Sequence, residues 1–429
     1  MTPQPAHGAA SGAAPLRVTN ERRWTIVGLL FLASAINYFD RATVSFALPL
    51  ISADLGLDAK QQGLLLSSFF WSYALMQIPS GILADRKDLR WLYAAAFILW
   101  SVAQGLTGLA HSLGVLILFR ILLGVGEAIY LPGGTRVVSL FFSLKERGLP
   151  CGLFDFGTRT GLMLEGVVVP FLVTHYGWRS TFLLIGATSL LWLIPWLSLT
   201  PRPMRAPQTE AAAKEGFDWS HLSSALRKRD LIGICLGFFC FDYYWYLLVT
   251  WLPNYLVTQR GLTMMKAGIY ASLPMLVFGL CQPLGGWIAD RLVRRGWNET
   301  RVRKGIISLS FLCGLFLIPA SQATTPEATL GLLMLSCLVG LSTANQLVIL
   351  QNCAPAALIG LWVGIYNFVG NIAGATAPYV TGELIQRTGS YTPPFILAAV
   401  MIAAGQLFYW FVVGPLKDPT TATDSGSRN

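Results

Sequence analysis

Charge is scarce in this chain. Of its 429 residues, 12% are Asp, Glu, Lys or Arg, about half the roughly 25% of soluble domains. Histidine occurs four times. The seven cysteines, Cys151, Cys235, Cys240, Cys281, Cys313, Cys337 and Cys353, form no C-x-x-C pair and have no His at ligand spacing. Nearly all fall in apolar runs and read as small packing residues, with no disulfide framework and no metal or cofactor site. No phosphate loop and no nucleophile–base constellation is present, which argues against an enzyme. The first 20 residues lack the short apolar core and small-residue cleavage site of a signal peptide.

Apolar sequence fills the space that charge leaves. Hydrophobic residues make up 54% of the chain and the mean hydropathy is +0.56. Runs of about 20 apolar residues recur, each long enough to cross a bilayer. The net charge of +10 is spread over short loops and forms no continuous nucleic-acid-binding face.

The runs predict an all-α membrane protein with twelve spans. The first six lie near 24–50, 61–84, 91–110, 113–139, 149–174 and 178–199. The last six lie near 231–257, 267–289, 305–321, 328–352, 357–386 and 392–414. Five segments follow: a disordered tail 1–23, a six-helix bundle 24–200, a linker 201–230, a second bundle 231–415 and a disordered tail 416–429. Basic residues crowd alternate loops, at Arg86, Lys87 and Arg90, at Lys145 and Arg147, from Arg202 to Arg229, and from Arg291 to Lys304. That bias predicts that the linker, those loops and both termini are cytoplasmic. Gly81-Ile-Leu-Ala-Asp85-Arg86-Lys87 after the second span recurs as Gly286-Trp-Ile-Ala-Asp290-Arg291-Leu292 after the eighth. A signature at corresponding places of two six-span halves predicts a pseudo-symmetric duplication, with a substrate site between the halves.

Three further stretches stand out. Asn37-Tyr38-Phe39-Asp40-Arg41 puts an acid beside a base inside the first apolar run. Such groups cost roughly 2.5–3.5 kcal/mol each at a helix centre on insertion scales and persist where they have partners or face a water path. Arg120-Ile-Leu-Leu-Gly124-Val-Gly126-Glu127 places Arg120 and Glu127 two turns apart on one face, with glycines that permit close helix approach. Asp155 and Arg159, four apart, form a natural intrahelical pair.

The repeated loop motif and the fourth-span motif resemble those of the major facilitator superfamily, over nearly the full chain. The first loop departs at Asp88, where the family usually has Gly. A narrower resemblance is to the anion:cation symporter family. It is carried by Tyr38 to Arg41, Tyr73, Gln77-Ile78-Pro79, Arg120, Glu127, Trp251 to Leu256 and Tyr366-Asn367-Phe368. That resemblance implies that Asp40 and Glu127 couple protons and that Arg41 holds a substrate carboxylate or tunes Asp40. It implies that Arg120 pairs with an acid during the cycle, and that Tyr38, Tyr73 and Asn367 line the cavity. Thr158 stands where several relatives have a substrate-contacting amide, and Gln346 where small hydroxyl residues are common.

Read on their own chemistry, Arg159 is the best second carboxylate clamp, because its planar fork suits bidentate binding. Asn371, one turn from Asn367, looks like a cavity lining. Asp242 heads the aromatic cluster Tyr243-Tyr244-Trp245-Tyr246 and, like Asp155 and Glu165, has no settled role. Asp85, Arg86, Asp290 and Arg291 read as a gate. The expectation is a bacterial inner-membrane symporter, working as a monomer, that imports a small organic anion such as a sugar acid with protons. Proton-driven efflux of an anion or drug, and a membrane anion sensor, are the alternatives.

Overall fold

A computed structural model describes residues 18–142, 148–205, 219–355 and 359–416. Most of both expected tails, and the middle of the expected linker, lie outside that set.

The described residues form twelve long helical rods and no strand. The first half holds α1 (Asn20–Leu55), α2 (Ala59–Arg86), α3 (Leu89–Thr107) and α4 (Leu113–Phe141). Its last two rods, α5 (148–176) and α6 (178–199), follow one another through Gly177. The second half holds α7 (Arg229–Thr258), α8 (Met264–Arg294), α9 (Glu299–Gln322) and α10 (Pro326–Cys353). It ends with α11 (Ile359–Thr388) and α12 (Thr392–Val412). A short helix, Trp219–Leu226, precedes α7. Each rod runs within a few residues of its expected position.

Side-chain caps set several of these ends. Asp58 accepts from the amide of Gln61 at 2.8 Å while Gln61 accepts from the amide of Asp58 at 3.0 Å, a capping box that starts α2. Thr19, Asp88, Ser112, Thr263, Asn298 and Thr325 cap other helices in the same way. Gly177 adopts φ +75° and ψ 162°, a left-handed turn natural to glycine that reverses the chain between α5 and α6.

Eight helical stretches are long and apolar enough to cross a membrane on composition alone, one of them containing both α5 and α6. The rods outside that set are α1, α2 and α11, which bury polar groups in the bundle. Among these are Asn37, Asp40 and Arg41 in α1, Ser67, Ser68 and Ser72 in α2, and Asn371 and Thr381 in α11. Elsewhere large apolar side chains cover the outside, among them Leu75, Leu118, Ile194, Leu280 and Phe411, as a lipid solvent favours.

Each half has its own core. In the first, Phe97 stacks on Trp192 with centroids 4.2 Å apart and Trp192 on Trp196 at 4.8 Å, joining α3 to α6. In the second, Tyr244 donates to Ser336 Oγ at 2.8 Å, joining α7 to α10. The last carbonyls of both closing helices receive cations from the third helix of their own half. Arg90 donates to the Leu197 carbonyl of α6, and Lys304 donates to the Val413 carbonyl after α12 at 2.7 Å.

The halves touch along α1 with α7, α2 with α11 and α5 with α8. The closest approaches lie toward the ends remote from the 201–230 segment. A Cβ on Gly63 would stand 2.6 Å from the Pro378 carbonyl, and one on Gly268 2.1 Å from the Gly166 carbonyl. Polar bonds join the same ends. Lys60 pairs with Glu383 at 3.1 Å, the amide of Ala59 donates to Gln386 at 3.1 Å, and Asn254 donates to Gln62 at 3.2 Å. The remote end is therefore closed.

Candidate functional site

The site is built around the buried charges of α1. Arg41 donates from Nη2 and Nε to the same oxygen of Glu127, Oε2, at 3.0 and 3.3 Å, and from Nη2 to Asn37 at 3.2 Å. Its guanidinium lies over the rings of Tyr38, Phe69 and Tyr73 at 4.7, 4.8 and 4.5 Å. Cation–π contacts of this kind favour a desolvated charge. A Cβ on Gly124 would fall 2.2 Å from Ser72 Oγ and 2.5 Å from the Phe69 carbonyl. That small residue lets α4 press on α2, whose Phe69 and Tyr73 lie against Arg41. After Glu127 the α4 helix passes through a looser turn at Ala128 and Ile129, whose backbone stays in the right-handed helical region. Its counterpart α10 passes through a 3-10 stretch, Cys337–Ser342.

Asp40 and Glu165 are sealed from solvent, and neither carboxylate has a hydrogen-bond partner. Both lie within electrostatic reach of Arg120 and of each other. An ionised carboxylate in such a place is costly unless a cation stands near. A proton or a neighbouring guanidinium removes that cost, so the cluster can exchange one for the other.

The expected Arg120 and Glu127 share the site without bonding to each other. Arg120 Nη1 reaches the Arg41 carbonyl at 3.4 Å and its guanidinium lies over Phe69 at 5.0 Å. The expected intrahelical pair of Asp155 and Arg159 is not made. Asp155 is exposed, and Arg159 leaves Nε without a partner and lies over Phe278 of α8 at 5.9 Å. Thr158 is buried and donates to the Asp155 carbonyl at 2.7 Å, so its hydroxyl serves its own helix. Tyr38 lies within reach of Arg41, Arg159, Tyr73 and Asp155.

On the second half, Gln346 donates to Ser342 at 2.8 Å and accepts from Tyr409 at 2.9 Å, an internal link between α10 and α12. Asn371 donates to the Asn367 carbonyl at 2.8 Å, one turn away, and its Oδ1 is unpartnered. Asp242 is 8% exposed and aims Oδ2 at Gly370 of α11, where a Cβ would stand 2.2 Å away. Tyr246, one turn on, packs edge-on against Phe70 of α2 at 4.6 Å and lies within reach of Asp242, Tyr38 and Arg41. It joins the polar groups of the two halves.

Among the expected gate residues, Asp290 pairs with Arg303 of α9 at 3.0 Å and not with Arg291, which lies over Trp287 of its own helix at 5.2 Å. Arg303 also bonds Glu299 at 2.7 Å. Arg86 is exposed. The side chain of Asp85 lies outside the described residues. The contacts that do join the halves, Lys60–Glu383 and Gln62–Asn254, were not expected. They join residues 323 and 192 positions apart, and nothing local in the sequence marks such pairs.

The family model described as "Major Facilitator Superfamily" matches residues 30–378. The chain belongs to that superfamily. It is a transporter and not an enzyme. It is 31% identical over 409 residues to the "Probable L-galactonate transporter" of Escherichia coli (strain K12), covering 92% of this chain and 90% of that one. It is 30% identical over 421 residues to the "Probable galactarate/D-glucarate transporter GudP" of Bacillus subtilis (strain 168), covering 92% of each. Among solved structures it resembles a bacterial homolog of the human lysosomal transporter Spinster in an inward-facing, occupied conformation. The TM-score is 0.79 at 18% identity, covering 94% of this chain and 100% of that one.

Proposed function

We propose that the protein is a proton-coupled carrier that imports a small organic anion, a sugar acid or a similar carboxylate, by alternating access. The observation that carries this reading is the Arg41–Glu127 pair with the sealed, unpartnered carboxyl of Asp40 beside it. The names of the relatives support a sugar-acid substrate. The crowd of basic residues on the loops at the 201–230 end supports a cytoplasmic face there in a bacterial inner membrane. The closed remote end is then the outward one.

In the cycle, Asp40 and Glu127 take up protons while the site faces outward. Protonated Glu127 loosens its hold on Arg41, whose guanidinium turns to the substrate carboxylate. Cancelled charge lets the halves rock about the α1–α7, α2–α11 and α5–α8 contacts. Facing inward, the acids release protons, Glu127 reclaims Arg41, and the anion leaves.

The test is uptake into proteoliposomes under an imposed proton gradient, with galactonate, gluconate, galactarate and glucarate as labelled substrates. Uphill accumulation by the wild type that Asp40→Asn abolishes, with substrate exchange kept, is the expected result. Accumulation by Asp40→Asn equal to the wild type overturns the coupling role.

A further inference from the structure

Resting on that reading, we infer that Glu165 is a proton-operated latch on the outer side. The outer end closes only with a proton on the Glu165 carboxyl. That proton returns outside when the end reopens, so it is not among those transported.

Position comes first. Glu165 lies on α5 at the seam between the halves, next to Gly166. A Cβ on Gly166 would stand 1.7 Å from Ser272 Oγ of α8, so the seam is tight there. A cavity of about 20 Å³ lies in it, walled by Phe46 of α1, Leu162 and Glu165 of α5, Leu252 of α7, and Ala271 and Ser272 of α8. It has room for about one water, too little to hydrate a carboxylate. Neither α7 nor α8 brings an ionisable side chain to that wall, and the Ser272 hydroxyl is spent on the Gly268 carbonyl at 2.9 Å. The Glu165 side chain is fully buried, and both its oxygens lack a partner.

Charge balance comes next. The ionisable groups facing Glu165 are Asp40 of α1 and Arg120 of α4. Asp40, Glu127 and Glu165 bring three carboxyls to the cluster, while Arg41 and Arg120 bring two guanidiniums. Arg41 is held by Glu127. Arg120 can offset one more carboxylate, and bonds neither Asp40 nor Glu165, whose oxygens are all unpartnered. A buried ion without a counter-charge is costly. One of Asp40 and Glu165 therefore holds a proton even after the transport protons have left. In the cycle proposed above Asp40 is the acid that lets go, which leaves the proton on Glu165.

Opening the outer end parts α1 and α5 from α7 and α8 and wets the cavity. A wetted glutamate is ionised at neutral pH, its ordinary pKa being about 4.3. Drying it again takes a proton from the outer water, because an isolated charge is not buried. The closed form thus binds a proton that the open form does not. Rising pH then favours the outward-open form, by up to about tenfold per pH unit for one proton.

The experiment measures distances between spin labels at the remote ends of α5 and α8. It uses the full chain in lipid nanodiscs, without substrate, from about pH 5.5 to about pH 8.5. The expected result is an open-to-closed ratio that rises with pH at least tenfold in the wild type. In Glu165→Gln, neutral at every pH, the rise is at least fivefold smaller and the outer end stays closed at high pH. Glu165→Leu, equally neutral, gives the same result, so one folded variant suffices. In proteoliposomes Glu165→Gln imports more slowly, because the outer end reopens less, at the wild-type number of protons per substrate. A wild type without the pH response, folded variants that keep it in full, or a lowered proton count in Glu165→Gln overturns the inference. None of these outcomes touches the coupling reading, which stands or falls on Asp40→Asn.

Discussion

Arg41 and Glu127 meet with two guanidinium donors on one carboxylate oxygen, Oε2, while Oε1 has no partner. The pair is thus held on one side only. Removing one member of a buried ion pair typically costs about 3–5 kcal/mol, because the other charge is stranded. Arg41→Leu is expected to lower the unfolding midpoint clearly more than Glu127→Gln, which keeps an oxygen for Arg41. Thermal unfolding in detergent checks this. Equal losses would show that the pair is not the anchor of the site.

Glu165 presents the opposite case, a buried carboxylate with no partner on either oxygen. Replacing such a group by a neutral isostere is often neutral or stabilising. Glu165→Gln is expected to leave stability unchanged or raise it by about 1 kcal/mol. A loss of several kcal/mol would mean that Arg120 depends on its charge.

The contact between Lys60 and Glu383 crosses the halves at the closed end, with Lys60 exposed and Glu383, which also pairs with Arg387, partly buried. Exposed pairs contribute roughly 0.2–1 kcal/mol. Glu383→Gln should therefore shift the population toward the form open at that end by about 1.4- to 5-fold. Distance measurements between spin labels on the remote ends of α2 and α11 read the shift. Lys60→Gln should shift the distribution in the same direction.

Asp54 bonds Trp178 at 3.2 Å and pairs with Arg179, which also donates to the Ala110 carbonyl at 3.0 Å. The hydrogen bond from Arg179 holds its carboxyl below the ordinary aspartate value. A lowered folded-state value means the pair stabilises above the unfolded pKa, about 4, and the benefit fades as pH falls through the folded one. Unfolding midpoints of wild type and Asp54→Asn should differ at pH 6 and converge below about pH 4. A difference constant with pH would deny the pair any role.

Much of this was legible in the sequence, because the bilayer leaves little choice. Apolar runs must be helices, and the repeated Gly81 and Gly286 motifs announced two halves. Asp40, Arg41, Arg120 and Glu127 were conspicuous since charge is rare in such runs, and the fold brings all four together. What failed was partner choice. Arg41 of α1 rather than Arg120 of its own helix holds Glu127, a pairing across helices that spacing along α4 does not reveal. Arg159 turns from Asp155 to Phe278, a ring 119 residues away. Lys60 and Glu383 read as ordinary surface residues until α2 and α11 are set side by side.

Arg90 ties α6 to α3, and Lys304 ties the end of α12 to α9. Each bundle therefore fastens its own last helix and borrows nothing from the other to do so. A hybrid chain that joins residues 1–205 to the corresponding second bundle of a relative would therefore keep the first bundle's fastener intact. Specificity could then be exchanged half by half, with the α7 and α11 groups travelling together and the α1 and α4 charges left where they are.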